Sequence, residues 1–255
     1  KSVANPELVV EIKRRLKGIN TDYIVEGGAL LQFIEDYPRS LFPQSMSTER
    51  PDRVAANLAE GRVAILLHGS PFAYIVPVSF FSFFQSIEDF ALKSPAGTFM
   101  RILRLLGTLL AVTLPAIYLG INYFHQEALP TELALAIAAA REQVPFPALI
   151  EIILMEMSFE LIREAGLRVP GLLGSTIGIV GAIVLGQAAV TAKIVSPIMV
   201  VIIAITGLGS FAIPDYRLAF GLRISRFAFL GLAAWLGLVG VAFGLFLFTV
   251  SMCSM

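Results

Sequence analysis

Apolar positions are spread unevenly along this chain. Over residues 1–92 they recur at three- and four-residue intervals or fill short unbroken runs, with charged positions interspersed; from Ile102 onward polar positions thin out and long uncharged runs take over. The first pattern predicts short helices and strands, the second helices of membrane length. PELVVEIKRRLK predicts a helix over 6–17, with acids in its first turn, bases in its last as the helix dipole favours, and Gly18 as its stop. A second short helix is expected over 28–36. TERPDRVAANLAEG predicts a third, with Thr48 or Glu49 near the cap, Pro51 in the first turn and Gly61 after the end. RVAILL and FAYIVP, on either side of His68-Gly69-Ser70-Pro71, predict a β-hairpin of two buried strands. SFFSFFQSIEDF then reads as an aromatic-rich helix leading towards a membrane.

KSPAG, residues 93–97, is the expected linker. After it, Ile102 to Phe124 predicts a first span, bent at Pro115, with Arg101 and Arg104 on the cytoplasmic side and Tyr118, Tyr123 and Phe124 as an aromatic belt at the far end. PTELALAIAAARE is helical but too short to cross. PFPALIEIILMEMSFELIREAG is helical and carries Glu151, Glu156, Glu160 and Glu164. On a wheel the last three of these lie within about 80° of each other, beside Arg163, and Glu151 points the other way. Such a helix lies in the interface, re-enters partway, or crosses with its acidic side buried in protein or facing water.

The stretch Leu172 to Thr191 has no charge and is long enough to span. Gly174, Gly178, Gly181, Ala182 and Ala189 fall on one side of it, suited to a neighbouring helix. Thr176, Val180, Ile183, Val184, Gln187 and Thr191 form the opposite stripe, with polar groups towards both ends and branched apolar residues between. Residues 194–213 predict the return span of a helical hairpin, PDYRLAFGLRISRF a basic connector, and 227–250 the last span, with Ala233, Gly237, Gly240 and Gly244 as a small-residue packing stripe. The expected fold is α+β: a small mixed α/β domain over 1–92, then an all-α polytopic membrane domain over 98–255. That domain has about four transmembrane helices plus the acidic interfacial or re-entrant helix. With four crossings, however, Arg217, Arg223 and Arg226 fall outside; they reach the cytoplasmic side only if the acidic helix crosses as well.

Composition fits a membrane protein: 56% of residues are hydrophobic, only 15% are charged, and the mean hydropathy is +0.80. Net charge is zero, but residues 1–104 hold 12 Lys+Arg and 11 Asp+Glu, leaving 7 and 8 for the remaining 151 residues. One cysteine, Cys253, makes no intrachain disulfide, and two histidines, His68 and His125, make no His-rich metal site. Neither histidine has a nucleophile or carboxylate partner placed by spacing, so no catalysis, metal or cofactor is expected. The opening KSVANPEL shows no signal-peptide pattern and is expected to be the middle of a longer protein.

ERPDRVAANLAEGRVAILLHGSPFAYIVPVSFFSFFQSIEDF resembles the A subunits of GerA-type spore germinant receptors. The likeness continues through PTELALAIAAAREQVPFPALIEIILMEMSFELIREAGLRVP, GQAAVTAKIVSP and SFAIPDYRLAFGLRISRF, from about Ala4 to Val250. The paralogous SpoVAF-type branch shares this architecture, and the acidic helix is more similar to the A subunits. The resemblance implies a multi-pass protein of the spore inner membrane with its N-terminal domain and both chain ends cytoplasmic. It implies a ring, expected to be a pentamer, acting as a nutrient-gated channel for monovalent cations, with receptor B and C subunits as partners and no nucleic acid. The resemblance therefore favours an even number of crossings and an acidic helix that does not cross. His68 occupies a turn position where the family often has Asp, so a role given to that acid does not carry over.

On this reading Thr176, Val180, Ile183, Val184, Gln187 and Thr191 line or gate a pore, with the valines as a dewetting constriction. Glu151, Glu156, Glu160 and Glu164, repeated around a ring, form an acidic vestibule that concentrates cations. Packing explains both sets as well: an intramembrane Gln hydrogen-bonds neighbouring helices, and Arg163 pairs with glutamates one turn away. A secondary transporter and a non-conducting scaffold are the competing classes; no internal repeat supports the former.

Overall fold

The computed structural model describes residues 5–24, 26–169 and 172–253, with the side chains of residues 90, 172–177 and 179 outside that description. It is mostly helical, with one small sheet. The described residues fall into two compact units: one reaches Leu105 and includes Ile213–Leu222 and the residues from Thr249; the other is Leu106–Ala212 with Arg223–Phe248.

In the first unit, α1 (Pro6–Lys17) starts where the Asn5 side chain accepts the N–H of Glu7, and it carries Arg14, Arg15 and Lys17 in its last turn. Leu30, Leu31 and Ile34 of α2 (Gly27–Ile34) join Ile12 of α1 in one buried cluster with Ile65 and Tyr74. Gly27 lies against the Tyr74 ring, where a Cβ would overlap it. The hairpin forms as the change of period predicts: β2 (Val63–Leu66) pairs antiparallel with β3 (Ala73–Val76), Val63 opposite Val76. The other edge of β3 takes β1 (Met46–Thr48), giving the order β1-β3-β2. Three residues are too few to show an alternation, so β1 is invisible in the sequence. Thr48, read as a cap, belongs to this strand, and α3 (Pro51–Ala59) follows Arg50 instead.

The aromatic run is not one helix. Phe80–Phe84 makes a 3-10 turn and α4 (Glu88–Ala91) follows separately. Phe83 and Phe84 are buried, and the carbonyls of Phe84 and Gln85 accept from Arg104 and Arg53, which occupies acceptors that a continuing helix would use. The expected linker is likewise helical: α5 (Ser94–Phe124) begins inside KSPAG and continues through Pro115. Pro95 suits a first helical turn, and Gly97 sits against the Asp89 carbonyl, where a Cβ would collide. Asp89, 4% exposed, accepts from Arg104 at 2.6 and 2.9 Å and from the Ser86 N–H at 3.0 Å, with Arg101 at 3.5 Å. Burial pushes its carboxyl up, but the Arg104 bonds, the Ser86 N–H and the two guanidinium charges outweigh it and hold Asp89 below its ordinary value. At the start of α10 (Tyr216–Cys253) the Asp215 carboxylate caps the N–H groups of Arg217 and Leu218. Gly221 lies against the Leu41 carbonyl.

The second unit is a helical bundle of residues 106–124 of α5, α6 (Thr131–Arg141), α7 (Ala148–Arg168), α8 (Leu172–Thr191), α9 (Pro197–Phe211) and residues 223–248 of α10. Side-chain and backbone contacts fix the directions. At one end Gly107 of α5 abuts Gly209 of α9, and Arg163 of α7 donates to Ser210 of α9 at 3.0 Å. At the other, Tyr123 of α5 accepts the Leu149 N–H of α7 at 3.2 Å, and Glu151 of α7 accepts the Ser196 N–H that precedes α9 at 3.0 Å. Gly181 of α8 meets Ile162 of α7, and Gly186 meets Val200 of α9. So α5 and α8 run one way and α7 and α9 the other. The acidic helix α7, at about 31 Å for its 21 residues, runs between the two ends of the bundle rather than lying across one of them.

The larger departure is α10. Gly237, at φ 63° and ψ −141°, interrupts it. Phe229 and Phe248 would stand about 28 Å apart on a straight helix, yet their ring centroids are 6.4 Å apart. Gly240 lies against Leu232 and Leu236, and Gly244 against the Phe229 ring. The helix therefore doubles back into two antiparallel arms, 216–236 and 238–253, reversing beside Gly120 and Phe124 of α5. No proline or polar turn marks this reversal, so the sequence reads there as one span with a connector before it. By length and composition Ser94–Phe124 and Tyr216–Cys253 are each long and apolar enough to cross a membrane.

Candidate functional site

The bundle presents two features that carry chemistry: a helix with one packed and one open side, and a column of charges buried between helices. The first is α8. On its packed side the ideal Cβ of Gly181 stands 3.7 Å from Ile162, and that of Gly186 stands 3.5 Å from Val200. On its open side Val180, Ile183 and Val184 are 52, 61 and 59% exposed, and Gln187 and Thr191 are exposed with them. The Thr191 hydroxyl donates to the Gln187 carbonyl at 2.8 Å, which leaves its lone pairs facing outward. Gly178 is half-buried and meets nothing within 4 Å of a Cβ position. The side chains of Thr176 and Gly174 lie outside the described residues.

The column of charges begins with Glu151, fully buried, whose Oε2 accepts the Ser196 N–H and whose Oε1 stands 3.2 Å from Arg141. Further along α7, Glu156, 4% exposed, pairs with Arg226 of α10, itself 3% exposed, and Thr206 of α9 approaches the same carboxylate at 3.5 Å. One turn on, Glu160 lies 3.2 Å from Arg163 and 3.6 Å from Arg223. Arg163 also lies over the Phe159 and Phe211 rings, at 5.1 and 4.9 Å from their centroids. Glu164 is exposed and pairs with Arg168 at 2.7 Å. The four glutamates are thus divided: Glu151 and Glu156 are enclosed between helices, and Glu160 and Glu164 keep access to solvent, each beside an arginine. Ionic groups inside an apolar bundle are tolerated only when they face its interior and pair, which is how these are arranged.

The pairing partners Arg141, Arg223 and Arg226 are not singled out by the sequence pattern, where the last two read as a connector. A signal was present: arginines three apart in one helix and glutamates four apart in another offer matching one-turn spacings. Gly237, Gly240 and Gly244, expected as a packing stripe, lie at and after the reversal of α10. Among the described residues there is no group of three or more His, Cys, Asp or Glu able to hold a metal ion. In the first unit a cleft of about 450 Å³ is lined by Leu8, Glu11, Ile12, Arg15, Gln44 and Met252 among others; Arg15 there is occupied by Glu11 and Asp36.

No solved structure matches this chain. The chain is 46% identical over 253 residues to spore germination protein KA of Bacillus subtilis, covering 99% of this chain and 46% of that protein. It is 47% identical over 243 residues to spore germination protein GerLA of Bacillus cereus, covering 95% and 49%. Over 238 residues it is 45% identical to spore germination protein A1 of Bacillus subtilis, covering 93% and 49%. The chain spans about half the length of these curated relatives. The family described as Bacillus/Clostridium GerA spore germination protein matches residues 1–255. Long collinear identity through both units, with the whole sequence inside the family's pattern, leaves one conclusion: this chain belongs to the GerA family of spore germination proteins.

Proposed function

We propose that this chain is the ring-forming, channel-building A subunit of a spore germinant receptor, and that the open side of α8 borders the ion path. The observation that carries this reading is the two-sidedness of α8. Its small residues pack on α7 and α9, and its other side leaves Val180, Ile183, Val184, Gln187 and Thr191 uncovered within one chain. Valines without partners, next to an amide and hydroxyls, suit a passage that is dry when narrow and wet when wide. The ring is a pentamer in the spore inner membrane, it passes monovalent cations, and the receptor B and C subunits are its partners. Glu160 and Glu164, with their solvent access, take the vestibule role; Glu151 and Glu156 hold helices together.

In this reading α5, α7, α8, α9 and both arms of α10 cross the bilayer. Their alternating directions support six crossings, an even number that keeps the N-terminal domain and the residues after the second arm in the cytoplasm. It also brings Arg217, Arg223 and Arg226 to the same side as Arg101 and Arg104, as the positive-inside rule favours. A crossing α7 tolerates its carboxylates because they are paired.

The test is electrical. The chain, within its full-length protein and with its B and C partners, is reconstituted in planar bilayers. Val184→Ser is expected to raise current without nutrient by about tenfold, the effect of lowering a dewetting barrier by about 1.4 kcal/mol. Unaltered closed-state current in both Val184→Ser and Val180→Ser would remove this side of α8 from the gate. A saturating, slowly turning-over flux would favour the transporter class.

A further inference from the structure

The cleft in the first unit joins an apolar floor to polar groups whose bonding capacity is left over. Its volume of about 450 Å³ is in the range of small-molecule sites, and every lining residue belongs to that one unit. Ile12, Ile34, Phe83 and Leu218 are buried against it, and Met252 lines it from the second arm of α10. The charges on its lining are Glu11, Glu35, Asp36 and Arg15. Arg15 is engaged, with Glu11 and Asp36 each at 2.8 Å and the Ile34 carbonyl at 2.6 Å. Glu35 has no such partner. It is half-buried, its Oε1 accepts from the Ser45 hydroxyl at 2.7 Å, and among the described residues no cation lies within ion-pair distance of it. Arg217 donates to the Ser45 carbonyl and hydroxyl instead. Across from Glu35, the Asp36 N–H donates to Gln44 Oε1 at 3.1 Å, which settles which end of that amide is the oxygen. The other end, Nε2, is enclosed and has no acceptor. Native folds rarely carry an enclosed donor of this kind unless something bonds it.

We infer that this cleft binds a small molecule with an α-ammonium group beside an amide carbonyl and an apolar side chain. The amide of an apolar amino acid has that chemistry, and so does the first residue of a peptide. The ammonium pairs with Glu35, the carbonyl accepts from Gln44 Nε2, and the side chain lies on Ile12, Ile34 and Phe83. Three acids against one engaged base on the lining disfavour a free carboxylate, so an unmodified amino acid is a poor fit. The site is separate from the open side of α8, and the inference does not rest on the channel reading.

The experiment is a ligand-observed NMR titration of the full-length protein in detergent with L-phenylalaninamide. Its expected Kd is on the order of 0.1–1 mM, as suits a ligand of about a dozen heavy atoms. N-acetylphenylalaninamide lacks the charge, phenethylamine lacks the amide and phenylalanine adds a carboxylate; each should bind about tenfold more weakly. Glu35→Gln keeps an acceptor for Ser45 and should remove the preference for phenylalaninamide over its acetylated form. Gln44→Glu keeps an acceptor for the Asp36 N–H and should remove the preference for phenylalaninamide over phenethylamine. These preferences are ratios within one protein, so a change in stability alone does not move them, and the wild-type series stands if a variant fails to fold. Phenylalanylglycinamide separates the two sources: affinity no tighter than that of phenylalaninamide assigns the cleft to a free amide, and tighter affinity assigns it to the start of a peptide. A wild type that binds no phenylalaninamide at about 10 mM, or binds all the probes alike, overturns the inference. So does binding whose preferences survive both substitutions.

Discussion

The ion pair between Glu156 and Arg226 offers a quantitative test of how the bundle is held together. Both groups are within 4% of full burial. Thr206 is committed elsewhere, donating to the Ile203 carbonyl at 2.8 Å, so its hydroxyl is a poor substitute for either partner. Replacing Glu156 by Leu leaves the Arg226 guanidinium enclosed without its counter-charge, and Arg226→Leu does the same to the carboxylate. Each single change should cost about 3–5 kcal/mol, the usual penalty for a buried charge left without its partner. The neighbouring charge of Arg163 helps a lone carboxylate and hinders a lone guanidinium, so Glu156→Leu should be the worse of the two. The double variant removes both charges and puts apolar volume in their place. It should return to within about 1–2 kcal/mol of the wild type, which makes the coupling energy at least about 3 kcal/mol. Equilibrium unfolding of the detergent-solubilised protein by graded SDS, followed by tryptophan emission from Trp235, reads all four forms. Additive losses, with a coupling below about 1 kcal/mol, would show that the two groups do not share a buried site and would refute the placement of α7 against the first arm of α10.

Two further outcomes are expected. Phe229→Cys with Phe248→Cys, in a background where Cys253 is Ser, should crosslink with a short bifunctional thiol reagent and give a faster-migrating band; a straight helix would hold these positions about 28 Å apart and give none. Asp89 supplies a pH test. Its carboxyl is held below its ordinary value in the folded chain, so its stabilising contribution is present above the unfolded value of about 3.9 and is lost as pH falls through the folded one. Asp89→Asn should therefore lower stability by about 2 kcal/mol at neutral pH, a figure reduced because Arg104 keeps 19% side-chain exposure. The gap between variant and wild type should close below about pH 4 in melting curves; a gap constant from neutral pH to about pH 3 would mean that the pair is not what holds Asp89 down.

What the sequence made legible was local. Asn5, Pro6 and the charges of α1 mark a helix whose two ends are written within a dozen residues, and the hairpin of β2 and β3 is announced by a change of hydrophobic period around Gly69. On α8 a wheel groups Val180, Ile183, Val184, Gln187 and Thr191, which are exposed together, but it did not single out Gly186, which packs on Val200, and it placed Gly178 on the packing side, where a Cβ would meet nothing within 4 Å. Features that depend on a partner distant in the chain were not legible. β1 exists because β3 has a free edge to pair, and the 3-10 turn at Phe80–Phe84 stops where Arg104 takes the Phe84 carbonyl and Arg53 the carbonyl of Gln85 just after it. Pro95 and Gly97 imitate a linker, although one suits a first helical turn and the other makes room for a neighbouring carbonyl. The pairing of Glu156 with Arg226 joins positions 70 residues apart, which no local period encodes.

The reversal at Gly237 also bears on how the chain is made. From Phe227 to Cys253 the sequence carries no charge, so read by hydropathy alone it is one unbroken greasy stretch. In the fold it is a doubled-back pair, and the reversal is made at one residue, Gly237. A methyl group there would be strained by the backbone and would press on the Phe124 ring, 2.9 Å from the ideal Cβ, so the pairing of the two arms hangs on a position that only glycine fills without cost.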